Sequence, residues 1–169
     1  GYRVYVVSAS NVWTVRWMVS KLNEVLVEKG STNIIPLINV IGVSTLLQDE
    51  KGFLHKDMPL ALANNNYVNL KSETLSKLKL TTQINYPLTG YYGKVANIMK
   101  WIGEKPYFVA GDSPNDHPML KFAEHKLWIA RLEKTGYQRK TLKAMKNTNK
   151  KSWMIQPTLY KKSPGFVSN

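Results

Sequence analysis

Two carboxylates, Asp112 and Asp116, stand four residues apart in the segment GDSPND, directly after the apolar run PYFVA at 106–110. Unpaired charge beside a buried strand is unfavourable, so these groups need a partner. Carboxylates at a strand-to-helix turn suit a hard divalent cation, and Mg²⁺ takes one or two carboxylates together with waters and substrate phosphate. Gly111 lets the backbone turn sharply. Asn115 can brace the loop, and Asp116 falls near a helix N-terminus, where an anion is favoured. The same residues also fit a plain Asp-rich turn that caps a helix.

Two further positions carry chemistry. Ser8 follows the β-branched and aromatic run YRVYVV at 2–7, and its hydroxyl, with backbone N–H groups from Ala9 onward, can hold a phosphate oxygen. Serine after a strand also caps helices. Lys94 follows Gly93 at the start of a helical run. The helix dipole disfavours a cation in the first turn, so Lys94 either serves an anion nearby or is an exposed lysine.

These residues must be positioned by alternating elements. Residues 2–7 read as a buried strand, and Ser10 or Asn11 as the cap of a helix carrying Val12, Val15, Val19, Leu22, Val25 and Leu26, ended by Gly30. Residues 34–43 read as a second strand, and QDEKGF (48–53) as a turn between two short strands. The Asn-rich stretch 60–85 holds a helix near 71–79, and 43–90 reads as an inserted hairpin and helical elaboration. A helix over 94–103 leads to the strand 106–110. A helix over 117–125, a strand at 126–131, a basic helix at 138–147 and a strand at 152–157 complete the chain. This order argues an α/β domain with a mostly parallel sheet.

The chain has 169 residues, enough for one domain with a real core. A hydrophobic fraction of 43% with 21% charged residues is that of a globular protein. No apolar run reaches the roughly 18 residues of a membrane span. With no cysteine there is no disulfide or thiolate chemistry, and the compartment stays open between cytoplasmic and bacterial periplasmic or secreted. The net charge of +13 favours anionic partners, and residues 126–162 hold eleven Lys/Arg against one acid, Glu133. That segment reads first as a solvated basic surface, with nucleic acid or membrane as weaker readings and steering of an anionic substrate beside them.

Taken together, YVVS (5–8), GKVANIMKWI (93–102) and FVAGDSPND (108–116) resemble the second, third and fourth motifs of the haloacid dehalogenase superfamily, in the family's order and over about residues 2–131. The fourth is close to the GDSxND form of the phosphoserine-phosphatase-like branch. The resemblance implies a Rossmann-like, mostly parallel sheet with helices on both faces, and an Mg²⁺-dependent phosphomonoesterase working through an aspartyl-phosphate. By matching position, Ser8, Ala9, Ser113 and Asn115 would bind substrate, and Lys94 would neutralise phosphoryl charge. Asp112 would bind Mg²⁺, with Asp116 completing or bracing that shell. Phosphoryl transfer is mainly positioning and charge stabilisation, which agrees with this set.

The family's first motif, DxD, has no counterpart here. It carries the nucleophile on the central strand and should lie many tens of residues before Ser8, whereas Asp49 and Asp57 lack its flanking strand and spacing. The chain is therefore expected to be the C-terminal part of a larger phosphatase, inactive alone, with the DxD segment of the same gene product as its partner. VYVVSAS, NVIGV (39–43) and WMIQP (153–157) are similar, more loosely, to phosphorylcholine-phosphatase-like proteins. Phosphorylcholine or phosphoserine follows as a candidate small substrate. Trp13, Trp17, Tyr91 and Tyr92 would then offer faces to a quaternary ammonium group. Two tryptophans four apart on a helix also pack simply against their surroundings, and His117 reads as a helix-surface residue that reaches substrate or solvent. A non-catalytic phosphoryl-ligand or partner-binding relative is the alternative. A basic nucleic-acid-binding domain is the weaker one, because no reading motif accompanies the charge.

Overall fold

The computed structural model describes residues 1–65, 67–146, 152–159 and 165–166. They fall into two compact units, Gly1–Thr89 and Gly90–Asn169.

In the first unit, strand β1 (Val6–Asn11) runs straight into helix α1 (Val12–Glu28). The Asn11 side-chain oxygen accepts the N–H groups of Trp13 at 3.0 Å and Thr14 at 3.2 Å, so Asn11 is the cap. The strand lies further along the chain than the run 2–7 indicates. Ser8 is consequently inside β1 and not in a loop after it. β1 pairs in parallel with β2 (Val40–Val43), and the register is irregular between Val7 and Asn11, across Ser8. β2 is shorter than the stretch 34–43, because the chain makes a 3-10 turn at Leu37–Asn39 just after Pro36. Val12, Val15 and Val19, at helical spacing, pack with Val40 as the core, joined by Val6, Trp13, Ile35 and Leu37. Contact is close at Gly42, where a Cβ would come 2.9 Å from Val12 Cα.

The segment that follows has its own antiparallel sheet. Its strands are β3 (Thr45–Gln48), β4 (Leu54–His55) and β5 (Lys79–Ile84), in the order β4-β3-β5. Helices α2 (Asp57–Ala63) and α3 (Ser72–Ser76) lie between β4 and β5 in the chain, and residue 66 is outside the described residues. Asp49 closes the β3–β4 turn by accepting the N–H groups of Lys51 and Phe53, both at 2.9 Å.

In the second unit, α4 (Tyr92–Trp101) precedes β6 (Phe108–Gly111), and a 3-10 turn at Pro114–Asp116 leads into α5 (His117–Phe122). β7 (His125–Arg131), α6 (Thr135–Lys146), β8 (Trp153–Leu159) and β9 (Gly165–Phe166) follow. The sheet order is β6-β7-β8-β9, with the first three strands parallel and β9 antiparallel. β7 alternates: Lys126, Trp128 and Ala130 are buried, while Leu127, Ile129 and Arg131 on the other face are half-buried. Trp128 and Leu120 are fully buried, and α5 and α6 both pack on β7. Of the basic segment, residues 147–151 and 160–162 lie outside the described residues. On α6, Arg139, Lys140 and Lys143 are exposed. The fold is mixed α/β with parallel and mixed sheets, of the Rossmann-like kind that alternating strands and helices imply.

Candidate functional site

Asp116 organises the GDSPND loop. One of its carboxylate oxygens, Oδ2, accepts three hydrogen bonds: from the N–H of Asp112 (3.1 Å), the N–H of Ser113 (3.0 Å) and the Ser113 hydroxyl (3.0 Å). The other, Oδ1, takes the Lys94 ammonium at 2.5 Å. Both side chains are nearly completely buried, at 7% and 6% exposure, so the pair is shielded from solvent. Lys94 is the third residue of α4, and this partner explains a cation in a first helical turn. Gly111 is required by the same packing: a Cβ there would stand 2.6 Å from Asp116 Cβ. With both oxygens engaged, Asp116 braces the loop.

Asn115 ties the loop to α4 by accepting the Tyr91 N–H at 2.7 Å. Tyr91 has φ 50°, a left-handed conformation that a bulky residue adopts only when its surroundings impose it. Its ring meets that of Tyr92 edge to face at 4.8 Å, and both rings are exposed.

Asp112 is the open carboxylate. Its side chain is 47% exposed, and its Oδ2 accepts a hydrogen bond from Arg131 NH1 at 3.0 Å. Arg131 gets there because β6 ends at Gly111, opposite Trp128, while β7 runs three residues further alongside the loop. Its Nε donates to Glu133 Oε1 at 3.2 Å. The Asp112 and Glu133 carboxylates together raise the already high pKa of this guanidinium. Arg131 and Glu133 also line a cavity of about 500 Å³ with Ile129, Thr158, Leu159 and Phe166. Sequence reasoning missed Arg131, whose position depends on strand register across the sheet.

Asp112 offers a half-exposed carboxylate at a strand end, the kind of hard oxygen that Mg²⁺ takes in ones or twos, while Arg131 holds its Oδ2. Among the described residues, no group of three His, Cys, Asp or Glu gathers into a cage. The remaining ligands would therefore be water and substrate phosphate.

The structure brings together Lys94, Asp112, Ser113, Asn115 and Asp116, all in the second unit. Ser8 and Ala9 belong to the first. There the Ser8 hydroxyl accepts the Ser10 N–H at 3.1 Å, so one amide expected to face a phosphate is occupied locally. Of the four aromatic residues, Trp13 donates its Nε1–H to Asp57 at 2.9 Å and Trp17 is exposed, both in the first unit. His117 is not a surface residue: it is buried, its Nε2 lies 2.7 Å from Thr141 Oγ1, and burial lowers its pKa, with Lys121 adding to the effect.

No family model matches the chain, and no curated protein matches it. Among solved structures it is similar to one described as a conserved functionally unknown protein from Anaerococcus prevotii DSM 20548, with 22% identity and a TM-score of 0.54. The match covers 90% of this chain and 33% of that one, so the chain spans about a third of the length of that protein. At this identity the likeness shows the fold alone.

Proposed function

We propose that this chain supplies the lysine and metal-side half of a phosphomonoester hydrolase that works through an aspartyl-phosphate. The observation that carries the reading is the buried Lys94–Asp116 pair, whose carboxylate also grips the backbone of Asp112 and Ser113. It joins the lysine-bearing helix to the aspartate loop as one rigid constellation. Lys94 neutralises negative charge, Asp116 holds the loop, and Asp112 offers a hard oxygen at the strand end. Bound there, Mg²⁺ would supply charge stabilisation for a phosphoryl group. The attacking aspartate is proposed to belong to a further segment of the same gene product. The proposed substrate is a small phosphomonoester such as phosphorylcholine or phosphoserine.

The test is hydrolysis of an aryl phosphate. The chain alone should be inactive, while a form that also carries the DxD segment should turn over with Mg²⁺ and lose at least about 100-fold on Asp112→Asn. Activity that survives this substitution, or an inactive longer form, sinks the reading. A second reading is a non-catalytic binder of phosphorylated ligands. Asp112 and Asp116 each already holding a protein cation favours it, and it predicts phosphate binding without turnover in every form.

A further inference from the structure

Asp112, Arg131 and Glu133 form a chain of alternating charge, of which the proposed reaction uses Asp112 alone. Arg131 shares one guanidinium between two carboxylates, with NH1 on Asp112 Oδ2 at 3.0 Å and Nε on Glu133 Oε1 at 3.2 Å. The contacts are local to the end of β7, and the side chains of all three residues are part-exposed, between 29% and 47%. Such a pair is weak enough to exchange, since exposed ion pairs contribute little to stability. A guanidinium at hydrogen-bond distance from a carboxylate also repels any dication that approaches the same group.

We infer that Arg131 is an internal competitor for Asp112, a positioning residue that holds this carboxylate without metal and hands it over when a divalent cation binds, with Glu133 as its alternative partner. The inference rests on the reading of Asp112 as the metal-side carboxylate. It assigns opposite effects to the two neighbours. Removing the positive charge leaves Asp112 to the metal. Removing the Glu133 charge commits Arg131 more fully to Asp112 and so weakens metal binding. A purely structural role predicts no such opposition, because loss of either partner would loosen the loop in the same direction.

The experiment is a Mn²⁺ titration of the full chain, with free Mn²⁺ followed by electron paramagnetic resonance and Asp112→Asn as the reference for site-specific binding. Arg131→Gln should bind about 10-fold more tightly than wild type, and Glu133→Gln about 3-fold more weakly. Arg131→Lys, which keeps the charge, should stay near wild type. Should Arg131→Gln fail to fold, the Glu133→Gln and Arg131→Lys arms still decide. Unchanged or weaker binding in Arg131→Gln, or tighter binding in Glu133→Gln, overturns the inference and leaves the metal site standing. Absence of Asp112-dependent binding in every form overturns the inference and the metal reading together.

Discussion

Each unit contains a buried cation–carboxylate pair, and the two pairs are built differently. In the first, Arg16 NH1 lies 2.8 Å from Asp57 Oδ2, with side chains 7% and 3% exposed. Asp57 also accepts the Trp13 Nε1–H, and burial raises its pKa against the opposing pull of Arg16. Beyond this pairing with Asp57, the Arg16 guanidinium nitrogens show no hydrogen-bond partner among the described residues. In the second, Asp116 receives Lys94 and three loop donors besides. The first pair ties two helices, α1 and α2. The second fixes the backbone of a loop whose next carboxylate, Asp112, faces outward. Equal burial thus accompanies unequal roles. What separates them is whether the carboxylate also holds backbone amides beside an accessible group.

That contrast can be broken by substitution. Asp116→Ala removes the carboxylate paired with the buried Lys94 ammonium and frees three donors, so it should destabilise the chain by about 3–5 kcal/mol. Denaturant unfolding measures it, and a loss under about 1 kcal/mol would mean that the loop does not depend on this carboxylate. Replacing the other pair as a unit, Arg16→Met with Asp57→Leu, should stay within about 2 kcal/mol of wild type, although Arg16→Met alone costs about 3–5. The residual loss comes from the Trp13 N–H left without its acceptor. If the double variant is as unstable as the single one, the first pair has a function beyond packing.

The smallest effect concerns pH. His117, facing Lys121, Lys140 and Asp116, has a folded pKa below its ordinary value of 6.5. The unfolded chain therefore binds the proton more readily, and stability present above about pH 6.5 is lost as pH falls below it. The loss below about pH 6.5 should be seen in thermal unfolding, and His117→Gln should flatten that part of the profile. A profile unchanged by the substitution would remove the buried histidine from the account.

Local signals located most elements. Apolar spacing marks α1, and the run through Val109 marks β6, because periodicity is written residue by residue. Strand ends were harder. The apolar run at 2–7 gives no sign that pairing continues through Ser8 to Asn11, since β2, 32 or more residues away, supplies the partner. At the site, GDSPND and Lys94 were legible because composition and order are local. The Arg131 contact to Asp112 and the Arg16 contact to Asp57 were not, being set by which strands and helices lie side by side. His117 reads as surface by its neighbours in sequence, and Thr141 of α6 and Trp128 of β7 meet it in the fold.

The two faces of β7 have a consequence for how the site is kept accurate. A slip of one residue against β6 would turn Trp128 outward and drive Arg131 into the core, so the misaligned form would lose its largest buried side chain and bury a bare charge. The aim of the guanidinium at Asp112 is therefore proofread by folding itself. A molecule that has found its hydrophobic register has, by the same step, placed Arg131 at its target.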